Sequence, residues 1–348
     1  MAKPFFHYLN EVSEGELRAI PPGRGTAQLG RFSASRGGSP NLTLLTPQKS
    51  NAKTNKNATS PNPMARRSLE ATLALAPSST SGFADTCGHC STPGCRENCL
   101  SDSGRFSGDR AQLNQRIKTE FGVLHPDLFQ AALRDEQRAH AEKAWAGGWH
   151  PVFRRNTLSD IPFHLLKTAP TLIGEYEEHP SGILIPADLK HLPGATSSEY
   201  SKENMIDVVD NEEVIPYRSL HITPSLSEKT TMRRARQVLE SGRNIAVPVL
   251  KDPNDELHEY LTIGDASGDT LTNATFNMDR DDARWADQET GMFGVLSEKK
   301  QGTFGSGAYA LNPHTNVWGF KRENEQGRAE DVPVSIRRMH FDNGRGGR

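Results

Sequence analysis

Cysteine is missing from this chain except within thirteen residues, where Cys87, Cys90, Cys95 and Cys99 fall together in the run TCGHCSTPGCRENCLSDSGR. Disulfides that brace a fold are spread so that they close loops across it, and this distribution excludes such a framework. Aromatic residues are scarce as well, at 7%, and apolar residues reach only 34%. A chain so composed can bury one core but not a core along its whole length, and disordered ends are expected. No run of about eighteen apolar residues exists, so the sequence offers no apolar membrane-spanning helix and no membrane partner is expected. The basic-then-apolar pattern of a secretory signal is also missing, and a cytoplasmic protein with reduced thiols is the expectation.

Thiolates crowded at these spacings can converge on one ion or cluster. Zinc in a closed site of Cys87, Cys90, Cys95 and Cys99 would fix a short loop with little apolar content of its own. An iron–sulfur cluster is the competing cofactor, and if only three thiolates bound iron, one iron would stay open to a further ligand. Free or transiently oxidised thiols are the third possibility. The spacing does not decide among them. It has no second C-x-x-C for a zinc ribbon, carries Cys95 where a zinc knuckle needs histidine, and does not match ferredoxin runs. His89, a lone imidazole inside the run, reads as a solvated loop residue.

Charge is divided unevenly. Residues 1–80 carry ten Lys or Arg against four Glu, a net +6, and the remainder of the 348-residue chain is net −8. The stretch 1–65 reads as a disordered basic head rich in Gly, Ser and Asn, which either associates with nucleic-acid phosphates or serves as a solvated linker. Residues 326–348, ending RRMHFDNGRGGR, read as a flexible tail, and 66–325 as the folded domain containing the cysteine loop 87–99.

Within that domain the pattern alternates. Leu69 to Ala76 predicts a strand leading into the cysteine loop. Pro126 suits the first position of a helix with Leu128, Phe129, Ala132 and Leu133 on one face, stopped by Gly147 and Gly148. Trp149 to Arg154 predicts the next strand, and Ser219 to Ser225 another. Ser227 can cap a helix carrying Met232, Ala235, Val238 and Leu239, closed by Gly242. Ile245 to Leu250, Tyr260 to Ile263 and Met292 to Leu296 complete the strands. Strands separated by helices predict an α/β fold with a parallel or mixed sheet, open or partly closed like an incomplete TIM-like barrel.

The run TLALAPSSTSG followed by Cys87, Cys95, Cys99 and Leu100 with Gly104 and Arg105 resembles the gene product 88-like family of uncharacterised phage and plasmid proteins. Further pieces agree in order: Asn51 to Lys56 (NAKTNK), Arg154 to Pro162 (RRNTLSDIP), Leu220 to Glu228, Glu240 to Val249, Ile263 to Asp269 and Asp281 to Lys300. The resemblance covers about residues 42–310. It implies a mobile-element origin, hence the host cytoplasm, and brings no reaction with it. It also implies ligands at Cys87, Cys95 and Cys99, with Cys90 an addition, which moves weight toward an iron–sulfur cluster with an open iron. The chain departs from the C-x3-C-x2-C spacing of radical S-adenosylmethionine enzymes, since Asp102 stands at the third place, and from the Tyr-Thr-Lys type segment expected near Tyr217 and Arg218.

A second constellation follows the strand at Trp149. Polar residues just after a buried strand sit where parallel α/β folds build sites. Arg155 and Asp160 are the candidate catalytic residues, Arg155 to grip a phosphate or carboxylate and Asp160 as base or ion ligand. Arg105, Asn156 and Ser159 are candidate substrate or anion-binding residues. The plainer alternative is a turn in which Ser159 or Asp160 caps the next element. Asp265 and Asp269 invite a magnesium reading but fit a surface turn better, and Gly302 to Gly307 lacks the lysine of a phosphate-binding loop. Two function classes follow: a metal-dependent enzyme on a nucleic-acid-related or small-molecule substrate, and a zinc-stabilised nucleic-acid-binding accessory protein. A site in the first sense requires the turn at Arg155 to Asp160 and the loop at Cys87 to Cys99 to lie at the same end of the sheet.

Overall fold

A computed structural model of the chain describes residues 3–50, 55–60, 63–87, 106, 108–159, 161, 163, 166–168, 185–186, 232–240, 242, 244–249, 260–264, 269–278, 291–297, 311–312, 317–323 and 329–335. They belong to two compact units, Met1–Pro224 with Arg280–Gln288 and Ser225–Asp279 with Glu289–Arg348. Each unit has its own mixed sheet. The single sheet expected from the strand pattern is therefore corrected to two, and among the described residues neither closes into a TIM-like barrel. Local periodicity marks a strand without saying which sheet it joins.

In the first unit the sheet order is β1 (Leu45–Pro47), β2 (Ser68–Leu73), β3 (His150–Arg154) and β4 (Ile185–Pro186). β1 runs antiparallel to β2, and β2, β3 and β4 are parallel, with Ser68 opposite His150 and Thr72 opposite Arg154. Parallel neighbours need a long crossover. Here it includes helices α6 (Asp109–Leu124) and α7 (Pro126–Ala146). Helix α7 starts with Pro126 as the sequence predicts and ends before Gly148, whose φ of 72 suits a residue without Cβ. Phe129, Leu133 and Ala141 of α7 are buried with Ile117 and Phe121 of α6 against Ala71, Leu73 and Phe153 of the sheet.

The disordered head expected over residues 1–65 does not hold for residues 3–50. These form helices α1 (Phe5–Leu9), α2 (Glu14–Ala19) and α3 (Arg24–Ser35), followed by β1. Phe5, Leu9, Leu17 and Leu29 are 0% exposed and belong to the same core. Burying each is worth about 1.5–3 kcal/mol, so few apolar residues suffice when every large one is used. Ser13 begins α2 with a reciprocal cap: its hydroxyl accepts from Glu16 N, and its own N–H donates to the Glu16 carboxylate.

Polar side chains of α7 clasp the head in sequence order. Gln130 donates to Leu9 O at 2.7 Å, Arg134 to Leu17 O at 2.9 Å and Ile20 O at 3.1 Å, and Asp135 accepts from Gly23 N at 2.6 Å. Glu136 accepts from Leu44 N and Leu45 N at 3.0 and 2.7 Å, while Lys118 of α6 donates to Leu44 O at 2.7 Å. Burial raises the Glu136 carboxyl against those two bonds and lowers the Lys118 ammonium to about 8. Two further short helices, α4 (Pro63–Arg66) and α5 (Ser78–Ser81), flank β2.

The second unit contains α8 (Met232–Glu240) and a seven-stranded sheet ordered β11-β10-β9-β5-β8-β7-β6. The strands are β5 (Ile245–Val249), β6 (Tyr260–Gly264), β7 (Thr270–Asn277), β8 (Phe293–Ser297), β9 (Leu311–Asn312), β10 (Val317–Glu323) and β11 (Ala329–Ser335). β5, β7, β8 and β9 form parallel pairs, whereas β6–β7 and β9–β10–β11 are antiparallel. Met232, Ala235, Val238 and Leu239 are the buried face of α8, as their spacing predicts. The flexible tail expected over 326–348 is corrected for residues 329–335, which pair along their whole length with β10. There Trp318 is opposite Val334 and Phe320 opposite Val332, residue types that favour strands. The predicted strand Ser219 to Ser225 and the cap at Ser227 lie outside the described residues.

Candidate functional site

Successive residues of a strand point to opposite faces. In β2, Ala71 and Leu73 face the helices, and Glu70 and Thr72 take the other side, yet these are buried too, at 0% and 1% exposure. That second face is polar. Glu70 Oε1 meets Arg154 Nε at 2.9 Å, Glu70 Oε2 accepts from Asn57 at 2.9 Å, and Glu70 N donates to Gln48 at 2.8 Å. A carboxylate and a guanidinium this deep are tolerable only as a pair with further hydrogen bonds. The Glu70–Arg154 pair was not anticipated from sequence, although a lone Glu inside LEATLALA carries the signal.

At the carboxyl end of β3 the chain turns through Arg155, Asn156, Thr157, Leu158 and Ser159, all buried. Thr157 N donates to Leu73 O at 3.2 Å and ties the turn to the end of β2. The Asn156 amide organises it: Oδ1 accepts from Ser159 Oγ and Ile161 N, both at 2.9 Å, and Nδ2 donates to Ile161 O at 2.8 Å. Asn156 and Ser159, expected to contact an anion, are thus used within the turn. Arg155 is 0% exposed, with its guanidinium over the Phe163 ring at 5.1 Å. Asp160, the expected base, lies outside the described residues.

The cysteine loop begins beside that turn. After β2 the chain passes through α5 to Asp85, Thr86 and Cys87, and Cys87 is 2% exposed. Its thiol donates to Leu158 O at 3.7 Å and receives Ser78 N–H at 3.5 Å, and Cys87 N donates to Ser78 Oγ at 3.1 Å and Asp85 Oδ1 at 3.0 Å. The Ser78 hydroxyl also bonds Asp85 Oδ1. Thr86 Oγ1 donates to Ala76 O at 2.7 Å, so the loop's first residues are fastened to the end of β2. Cys87 and the turn at Arg155 to Ser159 therefore share one end of the sheet. Cys90, Cys95, Cys99 and Arg105 lie outside the described residues, and among those described no three His, Cys, Asp or Glu side chains gather as a metal site.

An N–H aimed at sulfur is the environment a ligating thiolate takes, so the surroundings of Cys87 fit a metal ligand. As a ligand Cys87 would be a thiolate, its proton released to solvent; it would no longer donate to Leu158 O and would still accept from Ser78 N. Asp269 is exposed just before β7, where β6 reverses into its antiparallel partner, in keeping with a turn; Asp265 lies outside the described residues. Ser78 and Asp85 were missed from sequence; their signal is a Ser just after a strand end and an Asp two residues before Cys87. Among the described residues no helix is long and apolar enough to cross a membrane. No curated protein and no solved structure matches the chain. Residues 44–312, well over half of it and close to the span of the resemblance, match the family described as Gene product 88. The chain belongs to this phage gene product 88 family.

Proposed function

We propose that this chain is a metal-dependent enzyme whose site lies at the carboxyl ends of β2 and β3, acting on a nucleic-acid-related or small-molecule substrate that carries an anionic group. The observation that carries this reading is the 3.7 Å contact of the Cys87 thiol with Leu158 O in the turn after β3. In support, Cys87 contacts the turn that Arg155 opens after β3, at the carboxyl ends of the parallel strands β2 and β3, and such strand ends are where α/β enzymes build their sites. Cys87, Cys95 and Cys99 hold an iron–sulfur cluster in this reading, with Cys90 accessory. Such a cluster supplies an iron open to a substrate atom. Arg105 and Arg155 set the anionic group in place, and Asp160 takes or returns a proton beside it. Asn156 and Ser159 keep the turn in shape through the bonds described above.

The second reading, a zinc-stabilised nucleic-acid-binding accessory protein, draws on the head, whose α3 exposes Arg24 and Arg31. Anaerobic purification separates the two. The enzyme reading expects a coloured protein containing iron and acid-labile sulfide. A colourless protein with one zinc per chain would overturn it in favour of the binding protein.

A further inference from the structure

Asp85 occupies a position that neither the cysteine spacing nor the Arg155 turn accounts for. Its carboxylate Oδ1 accepts from Cys87 N at 3.0 Å and bonds the Ser78 hydroxyl, which itself accepts from Cys87 N at 3.1 Å. Its main chain is gripped from a distant part of the sequence: Phe5 N donates to Asp85 O at 2.7 Å, and Asp85 N donates to Lys3 O at 3.1 Å, around a parallel bridge between Pro4 and Asp85. Phe5 is 0% exposed and stacks edge-on against Phe129 at 5.6 Å, so the bridge is rooted in the core. We propose that Asp85 is the positioning residue of Cys87, and that the N-terminal segment Lys3 to Phe5 holds Asp85 so that Cys87 meets the turn after β3. The proposal rests on the reading of Cys87 as a ligand for its purpose, but the positioning itself stands on geometry.

The chain of contacts is short and directional. The bridge fixes the Asp85 backbone, the Asp85 carboxylate and Ser78 hydroxyl fix the Cys87 amide, and the Cys87 thiol then lies between Ser78 N and Leu158 O. An acceptor at Asp85 is what the arrangement needs, and its charge strengthens the bond. Asparagine retains the acceptor, whereas alanine removes it.

The test is the alkylation rate of Cys87 by iodoacetamide in the reduced, metal-free full chain, followed by mass spectrometry of the peptide carrying it. Wild-type Cys87 is expected to react slowly. Asp85→Ala should speed it by about tenfold, the factor expected for losing one charge-assisted hydrogen bond, with the cooperative melt retained and lowered by only a few degrees. Asp85→Asn should restore most of the protection. Removal of residues 1–3, which deletes the Lys3 acceptor, should shift the rate in the same direction as Asp85→Ala. Rates in Asp85→Ala equal to wild type would overturn the proposal. Equal acceleration in Asp85→Asn and Asp85→Ala would also overturn it, since the acceptor would then not be what matters. A cobalt(II) titration of the same proteins keeps the two readings apart. Absence of a thiolate-to-cobalt band in wild type would remove the metal-site reading while the alkylation rates still decide the positioning role.

Discussion

The buried Glu70–Arg154 pair and the buried Lys118 and Glu136 side chains of the first unit behave differently, and each gives a test. Glu70 and Arg154 are 0% and 6% exposed at their side chains, and Glu70 also takes a bond from Asn57. Arg154→Met would leave that carboxylate buried without its guanidinium, at an expected cost of about 3–5 kcal/mol, read as a lower urea midpoint for the first unit. A Glu70→Leu, Arg154→Met double variant should recover most of the loss, because neither charge of the pair remains. Lys118 gives a pH signature. Burial lowers its ammonium to about 8 from an ordinary 10.5, so between those values the unfolded chain holds the extra proton and stability rises with pH. Below about 8 both states are protonated, and the full penalty is present. Glu136, raised by burial, acts the other way: its stabilising proton is lost as pH climbs from 4.5 through its elevated value. Wild-type melting temperature should accordingly increase from pH 8 to 10.5, and Lys118→Met should remove that increase. A slope unchanged in the variant would assign the pH dependence to other groups.

At the scale of elements, the head is where the sequence was most misleading. Its Gly, Ser and Asn content suggests disorder, yet Phe5, Leu9, Leu17 and Leu29 are buried and α7 hydrogen-bonds the chain at each turn between helices. Composition averages over a window, whereas stability depends on where the few large residues go. Removal of residues 1–40 should therefore unfold the first unit, seen as loss of its cooperative melt and rapid proteolysis; an intact melt would return the head to a dispensable arm. Gly25→Ala is a finer probe, since a Cβ there collides with the backbone of Leu128 and Ala132, where α3 crosses α7. It should lower stability by about 1–3 kcal/mol, measured by the same denaturation. Other elements were legible. Pro126 and Gly148 bracket α7, and Met232, Ala235, Val238 and Leu239 are the inner face of α8, because proline, glycine and a helical repeat act locally. The same holds for β3 and β5, where short apolar runs mark buried strands.

For the whole molecule, the strands were legible one by one and their assembly was not. Ile245 to Val249 and Ser68 to Leu73 both sit beside parallel partners, but in different sheets of different units, and a β-strand's own residues do not record that choice. The candidate site divides similarly. Cys87 and Arg155 were identified from spacing and from position after a strand, and the structure brings Cys87 against the turn that Arg155 opens. Asn156 and Ser159 were identified for an anion and are bound up in the turn, since side-chain amides and hydroxyls serve either purpose with the same residue types. Asp85 escaped notice because its partners, Lys3 and Phe5, are some eighty residues away in the chain, and Ser78 because its bonds to Cys87 and Asp85 form only once the chain folds back after α5. In the proposed site three thiolates, including Cys87, hold a metal that keeps a position open for substrate. The decisive measurement is the metal content of anaerobically purified Cys90→Ala, Cys95→Ala and Cys99→Ala chains. Cys95→Ala and Cys99→Ala should lose the metal and Cys90→Ala should keep most of it, whereas equal loss from all three would mean a closed four-cysteine site with no open position.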